Sequence, residues 1–370
     1  QACIGDFFFD DFIHNGAFLL SYWRATSVFG YMKDTPTKES WYEFPDIETE
    51  DQHQFFLDHM PLSKLDKFYG EDNVFMEQIK THVNYDEFWQ SRGIIQHLKD
   101  IKPATMIVGG LFDAEDLYGP FNTYKSIEAN STNYNTVVFG PWSHGDWARS
   151  KERQVVGNIH FGDNLSDNFQ KNIETKFFNH FLKDEINGET GLAEAQMFNT
   201  GTKTWESFEN WPPKNTSKQS YYMQPNERLT LMPNKMFATS DFISDPKKPV
   251  PYTEDIKVGF TPRKFMTDDQ RFASRRPDVL TYETEILESD ITLAGAILAK
   301  LNVSTTGTAA DWIVKVIDVY PANTENTEDV QDHLKLSNYH MMVRSEVLRG
   351  RFRNSMSQPE PFVPNKKTAV

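Results

Sequence analysis

The sequence is poor in several things, and each shortage removes a class of explanation. It has one cysteine, Cys3, in 370 residues. A lone thiol forms neither an intrachain disulfide nor a thiolate metal cluster. Basic residues are outnumbered, 38 Lys and Arg against 53 Asp and Glu, leaving a net charge of −15. An acidic surface repels phosphate, so nucleic acid is not an expected partner. No stretch approaches the ~18 apolar residues of a membrane-crossing helix, so no membrane partner is expected either. None of the 19 glycines is followed two positions later by serine. The Gly-x-Ser-x-Gly turn that presents a nucleophile in α/β-hydrolases therefore has no counterpart here. No two histidines stand in the H-x-x-x-H spacing of a helical metal site. There is no internal repeat.

What is present is apolar and aromatic. Hydrophobic residues make up 38% and aromatics 14%, with 29 Phe, which suffices for buried cores and argues against disorder. The length favours more than one domain.

Four regions differ in texture. Residues 1–24 are dense in aromatics and acids (GDFFFDDFIHNGAFLLSYW). Residues 25–98 carry helical patterns, EDQHQFFLDHM and DEFWQSRGIIQHL, broken by Pro and Gly. Residues 99–192 alternate strand and helix. PATMIVGG reads as a buried strand, Pro120 to Asn130 as a helix with Pro in its first turn, and TVVFG as a second buried strand. SDNFQKNIETKFFNHFLKDE reads as one amphipathic helix, N-capped by Ser166 or Asp167, with Phe169, Ile173, Phe177 and Phe181 on one face. Strands alternating with helices imply a parallel sheet. Residues 193–370 contain short β-rich pieces between turn signals: AQMFNTG, SYYM, LTYETEILES, TLAGAILAKLNVST and DWIVKVIDVYP. That texture predicts a β-sandwich or jelly roll. WPPKNTSK and Ser240–Asp268 read as loops, and PANTENTEDVQD as an acidic surface excursion.

The candidate chemistry lies at two strand ends. Asp113 follows the strand PATMIVGG, and His144 follows TVVFG 31 residues later, room for one helix and a return strand. Neighbouring parallel strands would present this carboxylate and imidazole on one rim of the sheet, where α/β proteins keep their sites. A carboxylate bonded to one ring nitrogen fixes the tautomer and steadies the imidazolium, while the other nitrogen takes a proton from a serine. Asp113 and His144 fit the second and third places of a Ser…Asp…His order, and the first place is empty. Either the serine lies outside the chain or the chemistry differs. One alternative is a metal-dependent hydrolase using Asp113, Glu115, Asp116, His144 and Asp146 as oxygen and nitrogen ligands. Another is a non-catalytic binding protein that uses its β-domain.

The chain resembles the superfamily of cocaine esterases, X-prolyl dipeptidyl-peptidases and α-amino-acid ester hydrolases. The resemblance is carried by GDFFFDDFIHNGAFLLSYW at 5–23, YDEFWQSR at 85–92, GGLFDAED at 109–116, GPWSHGDW at 140–147, TWESFENWPP at 204–213 and TAADWIVKVIDVYP at 308–321. The branch of α-amino-acid ester hydrolases and glutaryl-7-aminocephalosporanic acid acylases is the most similar. The resemblance implies an α/β-hydrolase domain, a helical cap and a C-terminal jelly roll. It matches Asp113 to the triad acid and His144 to the triad base. It also implies that the serine precedes Gln1 and that further strands follow Val370, making this a fragment that is inactive alone.

The implied activity is cleavage of an ester or amide acyl bond through an acyl-enzyme, without a cofactor. Substrates would be α-amino-acid esters, β-lactam side-chain amides or X-Pro dipeptides, and a homo-oligomer is an open possibility. Relatives of the ester hydrolase branch hold a substrate ammonium with clustered carboxylates. Asp86 and Glu87, at the end of the cap, are the candidates for that role here.

Overall fold

The computed structural model describes residues 1–36, 38, 45–69, 73–149, 151–183, 188–257 and 261–370. Its centre is a sheet of four strands, and the placement of the site follows from two of them. The first strands in the chain form a small hairpin, β1 (Ile13–His14) and β2 (Ala17–Phe18). Helical segments follow, among them Gln52–Asp58, Val74–Thr81 and Glu87–Gln90. Trp23, Phe55, Leu65 and Met76 form their core.

β3 (Thr105–Gly110) and β4 (Asn135–Gly140) then pair in parallel, with Gly110 opposite Gly140. The crossover is the helix Tyr118–Asn130, with Pro120 in its first turn as predicted. Both strands are apolar on both faces because helices cover both faces. Ile107, Val137 and Phe139 pack with Tyr124 and Ile127 of the crossover helix. Val108 and Val138 point the other way and meet Phe169 and Ile173. The two-residue period of a strand thus divides one apolar run between two cores.

The helix carrying Phe169 and Ile173 differs from the sequence reading at its start. It begins at Leu165, after Asn164 in a left-handed conformation with no side-chain cap bond. Neither Ser166 nor Asp167 caps it, and the Ser166 hydroxyl instead donates to the Asp146 carbonyl at 2.9 Å. A π-helical turn over Gln170–Glu174 interrupts it before Thr175–Lys183. Phe169, Ile173 and Phe177 are buried on one face as expected. The last residues of that predicted helix, Asp184 and Glu185, lie outside the described residues.

Between β4 and this helix, β5 (Arg153–Val156) and β6 (Ile159–Asp163) form a hairpin. β7 (Ala195–Asn199), read in the sequence as the first piece of the C-terminal β-region, lies instead in the central sheet, parallel to β4. β8 (Thr204–Phe208) closes that sheet antiparallel to β7, in the order β3-β4-β7-β8.

Beyond β8 the described residues make three two-stranded pairs. β9 (Tyr222–Gln224) pairs with β10 (Arg228–Thr230), β11 (Asn302–Val303) with β14 (Thr368–Ala369), and β12 (Asp311–Val319) with β13 (His340–Arg349). Of the segments predicted as strands, LTYETEILES makes only a bridge from Glu283 to Arg228. TLAGAILAKLNVST forms a ladder only at Asn302–Val303. Among the described residues these ladders stand as separate two-stranded pairs. β-forming side chains do not create a strand where no neighbouring backbone is in register to pair with.

β13 joins this region to the central one on either side of a register shift between Met342 and Arg344. Met342 packs with Phe112, and Leu348 packs with Phe8, Phe12 and Ile13. Between them, Arg344 donates to the Leu111 carbonyl at 3.1 Å and Glu346 meets His14 Nδ1 at 3.3 Å.

Candidate active site

The two strand ends deliver their side chains to one place. After β3 and β4 the backbones stay zipped, Leu111 N–H to the Gly140 carbonyl at 2.9 Å and Phe112 N–H to the Trp142 carbonyl at 3.0 Å. Gly110 permits this approach, since a Cβ there would lie 2.2 Å from the Trp142 carbonyl oxygen.

Asp113 is buried. Its Oδ1 accepts the N–H groups of Glu115 at 2.9 Å and Asp116 at 3.1 Å, which fixes the carboxylate plane. Its Oδ2 lies 3.1 Å from His144 Nδ1. With Nδ1 engaged, Nε2 is left to act, and it makes no hydrogen bond among the described residues. The imidazole is 37% exposed, so the ring is held at its base and open at its tip.

More carboxylates surround the ring. Asp116 Oδ2 is 3.6 Å and Glu115 Oε2 4.0 Å from His144 Nδ1. Asp11 is tied to this loop through its N–H, which donates to the Glu115 carbonyl at 3.0 Å. The bond from Asp113, with the charges of Glu115 and Asp116, holds His144 well above the ordinary histidine range, against the opposing effect of burial. The acids pay for this crowding. Burial pushes Asp10 and Asp11 up to about 7, with the Glu115 charge adding to the effect on Asp11. Burial, then the charges of Asp11, Asp10 and Asp113, raises Asp116 further. Asp116 Oδ1 and Asp10 Oδ1 are buried without a hydrogen-bond partner.

Asp146 does not join this group. Its carboxylate is taken up by Ser143, Lys151 and Arg263. Among the described residues, no three His, Cys, Asp or Glu side chains are arranged to hold a metal ion.

Asp86 and Glu87 fall elsewhere. Asp86 caps the helix Glu87–Gln90 by accepting the Phe88 N–H at 3.0 Å, and its other oxygen meets His82 Nδ1 at 2.7 Å. Glu87 occupies the first turn of that helix, where its charge favours the dipole. Neither makes an ion pair or hydrogen bond to Asp113 or His144. The carboxylates that do gather at the imidazole are Glu115, Asp116 and Asp11. A partial signal lay in the sequence, since Glu115 and Asp116 sit beside Asp113. Asp11 reaches the site only through a contact between loops 104 residues apart, which no local pattern announces.

A mostly parallel sheet with helices on both faces, followed by a C-terminal β-region, fits an α/β-hydrolase with an appended domain. The chain belongs to the superfamily of cocaine esterases, X-prolyl dipeptidyl-peptidases and α-amino-acid ester hydrolases. Residues 1–146 match the X-Pro dipeptidyl-peptidase (S15 family) model, and residues 187–370 match the X-Pro dipeptidyl-peptidase C-terminal non-catalytic domain. The chain is 26% identical over 265 residues to cocaine esterase of Rhodococcus sp. (strain MB1 Bresler), covering 66% of this chain and 43% of that protein. It is 25% identical over 221 residues to a putative Xaa-Pro dipeptidyl-peptidase of Bacillus anthracis, covering 57% of this chain and 30% of that one. Among solved structures, an α-amino acid ester hydrolase superposes with a TM-score of 0.87 at 27% identity, and an aminopeptidase from a marine sediment archaeon, Thaumarchaeota archaeon, with 0.83 at 28%. Both cover the whole of this chain, which spans 60% of theirs. The chain thus spans less than half the length of the curated relatives it matches.

Proposed function

We propose that this chain supplies the acid and base of a serine hydrolase, Asp113 and His144, and that the serine comes from sequence outside these 370 residues. The observation that carries the reading is the Nδ1-to-Asp113 bond at the rim of a parallel sheet, with Nε2 left open. The absence of any Gly-x-Ser accounts for the missing third member. In the proposed step the serine Oγ attacks the acyl carbon and its proton passes to Nε2. The imidazolium, steadied by Asp113, then gives that proton to the leaving alcohol or amine. Water reverses the sequence on the acyl-enzyme.

The substrate class follows from the charge around the ring. Asp11, Glu115 and Asp116 form a carboxyl cluster whose pKa values burial and mutual charge raise, and a bound cation would favour their ionised forms. The substrate is accordingly an ester or amide of an acyl group bearing a free ammonium, as in α-amino-acid esters, aminoacyl β-lactam amides or peptides. The role first assigned to Asp86 and Glu87 passes to these three. The C-terminal region is read as a jelly roll with β9–β10, β11–β14 and β12–β13 among its ladders, and the helical segment at 25–98 as the cap.

The deciding experiment is hydrolysis by the protein from the whole reading frame. α-Amino-acid esters, their deaminated analogues, β-lactam amides and X-Pro peptides would be compared. Preference for the ammonium-bearing member, loss of activity with a serine-directed phosphonate and indifference to chelator are expected. Equal rates on aminated and deaminated esters would remove the ammonium pocket, and sensitivity to chelator alone would revive the metal reading.

A further inference from the structure

The turn that presents His144 is held by one carboxylate. Asp146 is fully buried, and its Oδ2 accepts the Ser143 N–H at 3.2 Å and the Ser143 hydroxyl at 2.6 Å. The Asp146 N–H returns to the Ser143 carbonyl at 3.1 Å, and Gly145 takes the left-handed conformation the turn requires, at φ 78°. His144 is thus clamped between two residues that bond each other twice through the Asp146 side chain.

The other oxygen of Asp146 faces cations. Lys151 Nζ lies 2.7 Å and an Arg263 guanidinium nitrogen 3.2 Å from Oδ1, with Arg149 at 3.9 Å. Arg149 and Lys151 are neighbours in sequence. Arg263 is 117 residues away, in the C-terminal region, just before the turn Phe265–Thr267. That turn is anchored, since Met266 is buried in the cluster containing Phe112, the residue before Asp113. Arg263 itself is 51% exposed; it reaches the His144 turn through its ion pair with Asp146, and its charge also acts on Glu115.

We propose that Arg263 is a positioning residue: by holding Asp146 in place it fixes the turn that keeps His144 Nδ1 on Asp113. The C-terminal region would thereby set the geometry of a histidine it does not touch. The inference rests on the reading of His144 as the base, but its main test needs no turnover. The charged groups facing His144 are Asp113, Glu115, Asp116 and the charge of Asp11, with Arg149 donating to the His144 carbonyl at 3.4 Å.

Direct electrostatics and positioning have opposite signs here. Arg263 is a cation, so removing it through charge alone favours the imidazolium and raises the His144 pKa. If Arg263 acts through the turn, its loss lets Nδ1 leave Asp113 and the pKa falls. The experiment is an NMR titration of the protein from the whole reading frame, labelled at histidine Cε1, comparing wild type with Arg263→Met and assigning His144 by His144→Ala. A fall on the order of one pH unit is expected for His144 and for none of the nine other histidines of these 370 residues. An unchanged or raised value overturns the proposal. Asp146→Asn should lower the value further. If that buried substitution does not fold, Arg263→Met at the surface still decides.

In the active protein, Arg263→Met should lower kcat with KM retained. Should His144→Ala keep its kcat, the base assignment falls while the titration still judges the coupling.

Discussion

Residues 99–183 and residues 209–310 carry similar runs of β-forming side chains and fold differently. In the first stretch the partners are close at hand. β3 and β4 are joined by one helix, which also covers the face the two strands share. In the second, the short hairpin β9–β10 pairs locally, while the longer β-like runs have distant or missing neighbours among the described residues. β11 finds β14 across 65 residues, while Ile286 and Leu298 stand 94% and 73% exposed outside any helix or strand. The contrast shows that a β-like run becomes a strand only where a partner backbone stands in register, and a buried one only where a layer also covers it. Chemistry is placed accordingly, with both candidate triad residues on the locally closed unit.

The contrast would break most visibly in catalysis. In the active protein, Asp113→Asn should lower kcat on the order of 10⁴-fold, because an amide offers a donor where Nδ1–H needs an acceptor. His144→Ala should cost at least as much, and the double variant hardly more, since the residues act as one unit. Steady-state kinetics on the three variants checks this, and additive losses would move the acid elsewhere. The 370 residues alone should show no turnover of an activated ester that a serine-directed phosphonate abolishes.

Stability should divide along the same line. Phe139 is fully buried in β4 and stacks on Phe121 at 3.9 Å. Phe139→Ala should cost about 3–5 kcal/mol through lost burial and the cavity left behind. Leu298→Ser, in the exposed stretch, should stay within ~0.5 kcal/mol. Chemical denaturation of both variants measures the difference, and a comparable loss at Leu298 would mean that its segment is packed.

The carboxylates at the site give the parallel unit a pH dependence of its own. Asp10 and Asp11 have folded-state values near 7 against an ordinary 3.8, so between those limits the folded chain binds more protons than the unfolded one. Stability therefore falls as pH rises through that interval. His144, also raised, adds loss of the same sign at higher pH, as its proton leaves and its bond to Asp113 weakens. Tm should drop by several degrees from pH 4.5 to 8, and Asp11→Asn should flatten the curve. A Tm that climbs over this range in the wild type would show that these acids are ionised without penalty.

Legibility in the sequence followed locality. Thr105–Gly110, Asn135–Gly140 and the helix between them were readable because apolar runs ended in glycine and a single crossover set the hand. The pairing of Asp113 with His144 followed from those strand ends. What stayed hidden was contact at a distance. Asp11 meets the Glu115 loop, and Arg263 meets Asp146, through side chains and backbones more than a hundred residues apart. In the sequence Asp146 stood as a candidate metal ligand beside His144; that its carboxylate instead bonds Ser143 inside the protein is a matter of burial, which sequence adjacency does not reveal. Asp86 and Glu87 were candidates through the resemblance and their place at the end of the cap, and Asp86 sits where an acid before a short helical pattern ordinarily serves as a cap.

The smallest expected effect tests that last distinction. Asp86→Ala removes the acceptor for the Phe88 N–H and the partner of His82 Nδ1. Loss of an N-cap costs about 0.5–2 kcal/mol, so a modest drop in denaturation midpoint is expected. KM for an ammonium-bearing ester should not change in Asp86→Ala or Glu87→Gln, because neither contacts the acids around His144. Asp116→Asn should behave in the opposite way. Its carboxyl is raised by burial and by the charges of Asp11 and Asp10, so the neutral amide relieves repulsion and should raise Tm above neutral pH. The same change removes one anion from the ammonium pocket and should raise KM for the aminated ester but not for its deaminated analogue. A cap residue trades in stability alone, whereas a binding carboxylate gives up stability to hold charge. If Asp86→Ala raised KM selectively for the aminated substrate, the cap would be part of the pocket after all.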